Sequence, residues 1–114
     1  MDKKLESLTK KRDLITLRKY GRTVSTSRLS LKSARLKNDE RILITVVVSQ
    51  RVSKKAVERN KVKRRLRAVF VKYRDKVKNG MVIMIIARPI SRQASYTELK
   101  NDLEYLINKA CLLI

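Results

Sequence analysis

Residues 41–88 read RILITVVVSQRVSKKAVERNKVKRRLRAVFVKYRDKVKNGMVIMIIAR. Arg41 to Val48 is rich in β-branched residues at successive positions, the pattern of a strand covered on both sides and therefore central in its sheet. Val62, Leu66, Val69, Phe70, Tyr73 and Val77 then recur at steps of 4, 3, 1, 3 and 4, which places them on one face of a helix running from about Ser53 to Val77. Ser53 or a neighbour is positioned to cap its start, and Asn79-Gly80 to close it. Met81 to Arg88 is a second buried strand, ended by Pro89. Strand, long helix and strand in succession make a parallel crossover unit.

On the N-terminal side, residues 28–36 alternate. Leu29 and Leu31 point one way and Arg28, Ser30 and Lys32 the other, as in a half-buried strand with a basic open face. The turn Lys37-Asn38-Asp39-Glu40 then brings residues 28–36 and 41–48 close enough for a hairpin. Leu14, Ile15 and Leu17 mark a short helix over residues 9–20, stopped by Gly21. Beyond Pro89, Ser95 and Glu98 have capping-box spacing before Leu99, Leu103, Leu106, Ile107 and Ala110. With a short strand near Val24 the order is αβββαβα. The expectation is an α/β chain of the α+β two-layer sandwich kind: a small mixed sheet carrying helices, with one side only partly covered. Residues 1–8 are expected to be loose and 9–114 to form a single domain.

The 114 residues carry 30 Lys and Arg against 10 Asp and Glu, a formal charge of +20 with no His. Leu, Ile, Val and Phe supply 35 residues, well above the roughly 20% below which so charged a chain stays disordered. The only rings are Phe70, Tyr20, Tyr73, Tyr96 and Tyr105, so the core is aliphatic, with Tyr73 and Tyr105 at core spacing. Cys111 is the only cysteine, which excludes an internal disulfide; it falls in an apolar helix end and points to a reducing, cytoplasmic setting. MDKKLESLTKKRD at the N-terminus lacks the apolar stretch of a signal peptide, and the longest apolar run, 81–87, falls short of the roughly 20 residues that span a bilayer.

Between Arg51 and Lys76, twelve Lys and Arg stand against Glu58 and Asp75, half of the whole net charge. Solvated helix faces normally interleave signs, and this one does not. Arg59, Lys63 and Arg67 lie four apart in a line suited to backbone phosphates. A basic amphipathic helix can also lie on a membrane, but here the apolar side is needed to cover the sheet. No membrane and no small-molecule substrate are expected as partners. RNA is favoured over DNA, because one Cys and no His exclude zinc modules and nothing resembles a helix-turn-helix pair.

Residues 49–70, SQRVSKKAVERNKVKRRLRAVF, resemble the signature region of the protein subunit of bacterial ribonuclease P. The motif of that family, Arg-Asn-Arg followed by an apolar residue, Lys and Arg, is matched by Arg59-Asn60-Lys61-Val62-Lys63-Arg64. Lys61 departs from the usual Arg, keeping the charge without the bidentate grip. Lys11-Arg12-Asp13, Lys19-Tyr20-Gly21-Arg22 and Ile85-Ile86-Ala87-Arg88-Pro89 are similar to the family's first helix, its end and its last strand. The resemblance implies a left-handed parallel crossover, against the usual rule. It further implies an accessory role in removing the 5′ leader of precursor tRNA, with the ribonuclease P RNA subunit and precursor tRNA as partners and catalysis in the RNA. Mg²⁺ would be held by RNA and substrate, and the protein would lower the amount required. By motif match, Arg59, Asn60, Lys61, Lys63, Arg64 and Arg67 contact RNA, joined by Arg51, Lys54 and Lys55.

The resemblance also implies a leader cleft between the first helix and the open sheet face, at Leu14, Arg18 and Lys32, with Arg28 adding charge. None of these is aromatic, so base stacking is replaced by charge and leader binding should be salt-sensitive. No catalytic or metal-binding set is expected in the protein: there is no His, Asp39 and Glu40 sit in a turn, Glu98 and Asp102 share a helix face, and Cys111 lacks a base. A ribosomal protein or RNA chaperone is the alternative, sharing charge, size and core.

Overall fold

The computed structural model describes residues 5–36, 40–110 and 112. A five-stranded mixed sheet is built from β1 (Leu5–Ser7), β2 (Arg22–Ser25), β3 (Leu29–Arg35), β4 (Ile42–Val47) and β5 (Met81–Ala87), in the spatial order β1-β4-β5-β3-β2. The helices are α1 (Lys11–Tyr20), α2 (Ala56–Val71) and α3 (Tyr96–Lys109), with a 3-10 turn at Pro89–Gln93.

The middle strand is β5. Its apolar run takes β4 as a parallel neighbour and β3 as an antiparallel one, from Leu29 opposite Ala87 to Arg35 opposite Met81. The β4–α2–β5 crossover is thus as expected, whereas the hairpin between residues 28–36 and 41–48 is not formed, because β5 lies between them. A strand apolar on both faces gains most where both of its edges are paired and both faces are covered. The chain leaving β3 bridges the end of β5 instead: the Leu36 N–H donates to the Gly80 carbonyl and the Gly80 N–H to that of Arg41. Gly80 has φ 75°, so the glycine expected to close α2 serves the turn into β5. The hairpin that does form is β2–β3. Of the expected 37–40 turn, Lys37, Asn38 and Asp39 lie outside the described residues.

Residues 5–8 are not loose. Leu5, Glu6 and Ser7 pair in parallel with Ile42, Leu43 and Ile44, the Leu8 N–H donates to the Ile44 carbonyl, and Leu8 is buried. Without β1 the outer edge of β4 would present unpaired backbone groups. Three residues are too few to show a period, and residues 1–4 lie outside the described residues.

One sheet face is sealed. Leu29 and Leu31, Ile42, Ile44 and Val46, and Ile83 and Ile85 pack with Val62, Leu66, Val69 and Phe70 of α2 and Leu99, Leu103, Leu106 and Ile107 of α3. Each such side chain contributes roughly 1.5–3 kcal/mol by leaving water. On the other face a smaller cluster joins Leu8 and Leu17 to Ala34, Leu43 and Val82. In α1 only Leu17 of the three expected apolar positions is buried, while Leu14 and Ile15 are exposed. A lone short helix over one end of a sheet can bury just one line of side chains.

α2 ends at Val71, earlier than Val77. The chain continues in turns closed by i to i−3 bonds, among them Tyr73 N–H to the Phe70 carbonyl, and these keep Tyr73 and Val77 against the core. Its N-cap is Lys55; Ser53 instead accepts from the Lys55 N–H and donates to Glu58. The Ser95–Glu98 capping box of α3 is present in both directions. Tyr73 donates to Glu104, and burial first, then that carboxylate, pushes its phenol pKa up. Tyr105, expected in the core, is about half exposed beside Lys109. Cys111 lies outside the described residues.

Candidate RNA interface

With Val62, Leu66, Val69 and Phe70 turned to the sheet, helical geometry turns Asn60, Lys61, Lys63, Arg64 and Arg67 outward, and all five are exposed. None of these four cations has an ion pair among the described residues. Asn60, Lys63 and Arg64 are brought together with Val57 around a shallow depression of about 440 Å³. Arg59 has a second duty: its Nη1 donates to the carbonyls of Ser53 and Lys54, at 3.0 and 2.9 Å, and stitches the preceding loop to the first turn of α2. Arg51, Lys54 and Lys55 are exposed on that loop. Glu58 is the acidic residue of the first helical turn; the Ser53 hydroxyl, and then Arg92 3.2 Å away, hold its carboxyl below the usual 4.5.

On the other side of the sheet, α1 stands over β3 and β5 and leaves a cleft of about 390 Å³ that brings Leu14, Arg18 and Lys32 together. Lys11, Ile15 and Met84 also line it. Gly21 lets the helix end and β2 begin at once: a Cβ there would stand 2.1 Å from the Leu17 carbonyl oxygen and 3.0 Å from Lys32. It is close approach, not a left-handed backbone, that demands this glycine.

Arg28 is not in the cleft. It lies in the β2–β3 turn, where Thr26 closes the hairpin, and its guanidinium reaches α3, pairing with Glu98 and, at 3.4 Å, with Asp102. Two carboxylates four residues apart on one helix face form a bidentate seat that the alternation of β3 alone does not reveal. The Ser95 backbone N–H first, and then Arg28, hold the Glu98 carboxyl below 4.5. The Asp102 carboxylate also accepts from the Thr26 hydroxyl, at 3.1 Å.

The cleft continues along the sheet. Lys32 faces Met84 and Ser30 faces Ile86 across the β3–β5 ladder, so a second depression lies on the same face, about two residues or 7 Å along the strands. It measures about 530 Å³ and is lined by Ser25, Ser30, Ser49, Arg51, Ile86 and Arg88. Arg51, expected with the basic helix, therefore also borders the open sheet face. Met84 and Ile86 were hidden by their apolar character: every second residue of an evenly apolar strand reads as buried, whichever face is left open.

Among the described residues no group of three or more His, Cys, Asp or Glu could hold a metal ion, and no helix is long and apolar enough to cross a membrane. The family model described as Ribonuclease P matches residues 2–111, and so spans both the basic helix and the cleft. The chain belongs to the ribonuclease P protein family. The ribonuclease P protein component of Pseudanabaena sp. is 39% identical over 85 residues, 75% of this chain and 73% of that one. That of Desulfosudis oleivorans is 34% identical over 108 residues, covering 95% and 88%. A solved structure of the Staphylococcus aureus RNase P protein superposes with a TM-score of 0.81 at 25% identity, over 95% of this chain and 97% of that one. Likeness of this extent to ribonuclease P proteins, in sequence and in fold, favours that function over a ribosomal protein or RNA chaperone.

Proposed function

We propose that this chain, a ribonuclease P protein component that functions with the RNA subunit of the enzyme, contacts that RNA through α2 and takes the 5′ leader of precursor tRNA along the open sheet face. The observation that carries this reading is the outer side of α2. Like charges crowded on a folded surface repel one another, and Lys63, Arg64 and Arg67 have no ion pair among the described residues. A phosphate backbone relieves that repulsion and releases counterions as it binds. Arg51, Lys54 and Lys55 extend the same contact, and Arg59 joins it with whatever donors the 53–54 loop leaves unused.

In the cleft, Lys11, Arg18 and Lys32 attract the leader backbone while Leu14, Ile15 and Met84 offer apolar contact without ring stacking. Leader affinity consequently falls steeply with salt. Cleavage chemistry resides in the RNA subunit, with Mg²⁺ held by RNA and substrate. The protein allows two polyanions to approach and so lowers the Mg²⁺ needed. Such a role belongs in the cytoplasm, where precursor tRNA is processed.

The test is to add the protein to a bacterial ribonuclease P RNA at low Mg²⁺ and follow cleavage of precursor tRNA. Restored cleavage is expected. RNA binding without restoration would sink the proposal, as would cleavage by the protein with no RNA subunit present.

A further inference from the structure

The second flank of α2 carries a feature of which the motif covers only Lys61. At 100° per residue, Lys61 and Arg65 lie one above the other and nearly opposite Lys63 and Arg67 around the helix. There α2 meets the 3-10 turn Pro89–Gln93, and between them is a polar pocket of about 190 Å³ lined by Ser53, Glu58, Lys61, Arg65 and Arg92 together with apolar neighbours. Its volume is several times the roughly 30 Å³ share of a water molecule. Arg65 is half-buried, unlike the exposed Lys63 and Arg64, and has no hydrogen bond or ion pair among the described residues. The Glu58 carboxylate accepts from the Ser53 hydroxyl and holds Nε of Arg92 at 3.2 Å. Arg92 has no other hydrogen-bond or ion-pair partner among the described residues. Three cations thus face one carboxylate that is already engaged.

We propose that Arg65 and Arg92, with Lys61, form a concave phosphate-binding subsite for the RNA subunit, gripping a part of the backbone different from the one held by Lys63 and Arg67. It rests on the RNA-binding role of α2. Glu58 acts as a positioning residue, because a guanidinium held through Nε presents its two terminal nitrogens as a fork that matches two phosphate oxygens. Lys61 supplies a third donor from the adjacent turn.

The experiment measures affinity for a bacterial ribonuclease P RNA across a salt series, using the full chain and two double variants, Arg65→Gln/Arg92→Gln and Lys63→Gln/Arg67→Gln. Thermal unfolding verifies that each variant is folded. Removing the subsite should weaken binding roughly tenfold near physiological salt and lower the slope of log affinity against log salt by about 1. Phosphate-ethylation interference should show the two variants losing different phosphates, and Arg65→Lys/Arg92→Lys should recover the slope. If Lys63→Gln/Arg67→Gln lowers the slope and Arg65→Gln/Arg92→Gln does not, the subsite is overturned while the RNA-binding role of α2 stands. If the wild-type protein does not bind the RNA, that role itself fails. Inorganic phosphate stabilising the wild type but not Arg65→Gln/Arg92→Gln, with the salt slopes equal, would assign the pocket to a free anion and overturn the RNA assignment.

Discussion

The two faces of the sheet receive opposite treatment from the same strands. Under α2 and α3, side chains from three strands and two helices interdigitate and leave Leu66, Phe70, Leu103 and Ile83 without solvent contact. Under α1, the cover ends after Leu17, and Lys32, Met84, Ser30 and Ile86 are left half-buried beside open depressions. Stability is concentrated on one face, and the other can therefore keep apolar and cationic groups available to a ligand.

The contrast breaks first if the sealed face tolerates a void. Phe70→Ala should cost about 3–5 kcal/mol in chemical denaturation, and a loss below about 1 kcal/mol would show that α2 is not anchored as described. On the other face, Leu17→Ala should cost about 2–3 kcal/mol, whereas Leu14→Ala, on the same helix, should stay within about 0.5 kcal/mol. Equal costs would mean that α1 is packed along its whole length.

Arg28 sharpens the comparison, since it belongs to the α3 side. Arg28→Ala should destabilise by about 1 kcal/mol yet leave the preference for leader-bearing over mature tRNA unchanged, while Lys32→Ala should reduce that preference with little effect on stability. Leader-length and salt series would separate the two. Leu14→Phe should strengthen leader binding by about 1 kcal/mol at every salt concentration, by adding a ring on which a base can stack, while the salt slope set by the cations stays the same. An unchanged leader affinity would mean that the leader does not touch α1.

The smallest effect concerns pH. The Glu98 carboxyl lies below 4.5 in the folded protein, so its contribution is complete above that value and is lost as pH falls through the lower folded value. Glu98→Gln should flatten the acid limb of a stability-against-pH curve while leaving its shape above pH 6 unchanged. An acid limb identical to the wild type would remove Glu98 from the Arg28 seat.

The basic helix was legible because its periodicity is long and its charges lie close in sequence. Leu14, Arg18 and Lys32 were legible through family resemblance, and the structure does bring them together. Lys11, Met84 and Ile86 were not, since an evenly apolar strand does not say which of its faces remains open. Arg28 was misplaced because its partners, Glu98 and Asp102, lie some seventy residues away, and strand alternation says nothing about a side chain at a hairpin turn.

By itself the sequence determined an aliphatic core, a crossover helix with one apolar and one cationic side, and a polyanionic partner, because period and charge are local properties of the chain. Only the tertiary structure decided that β5 separates β3 from β4, that residues 5–8 close an edge, and that Arg65 and Arg92 face one pocket. Those outcomes depend on which backbone edges and which distant side chains compete for the same space, and no window along the chain contains both competitors.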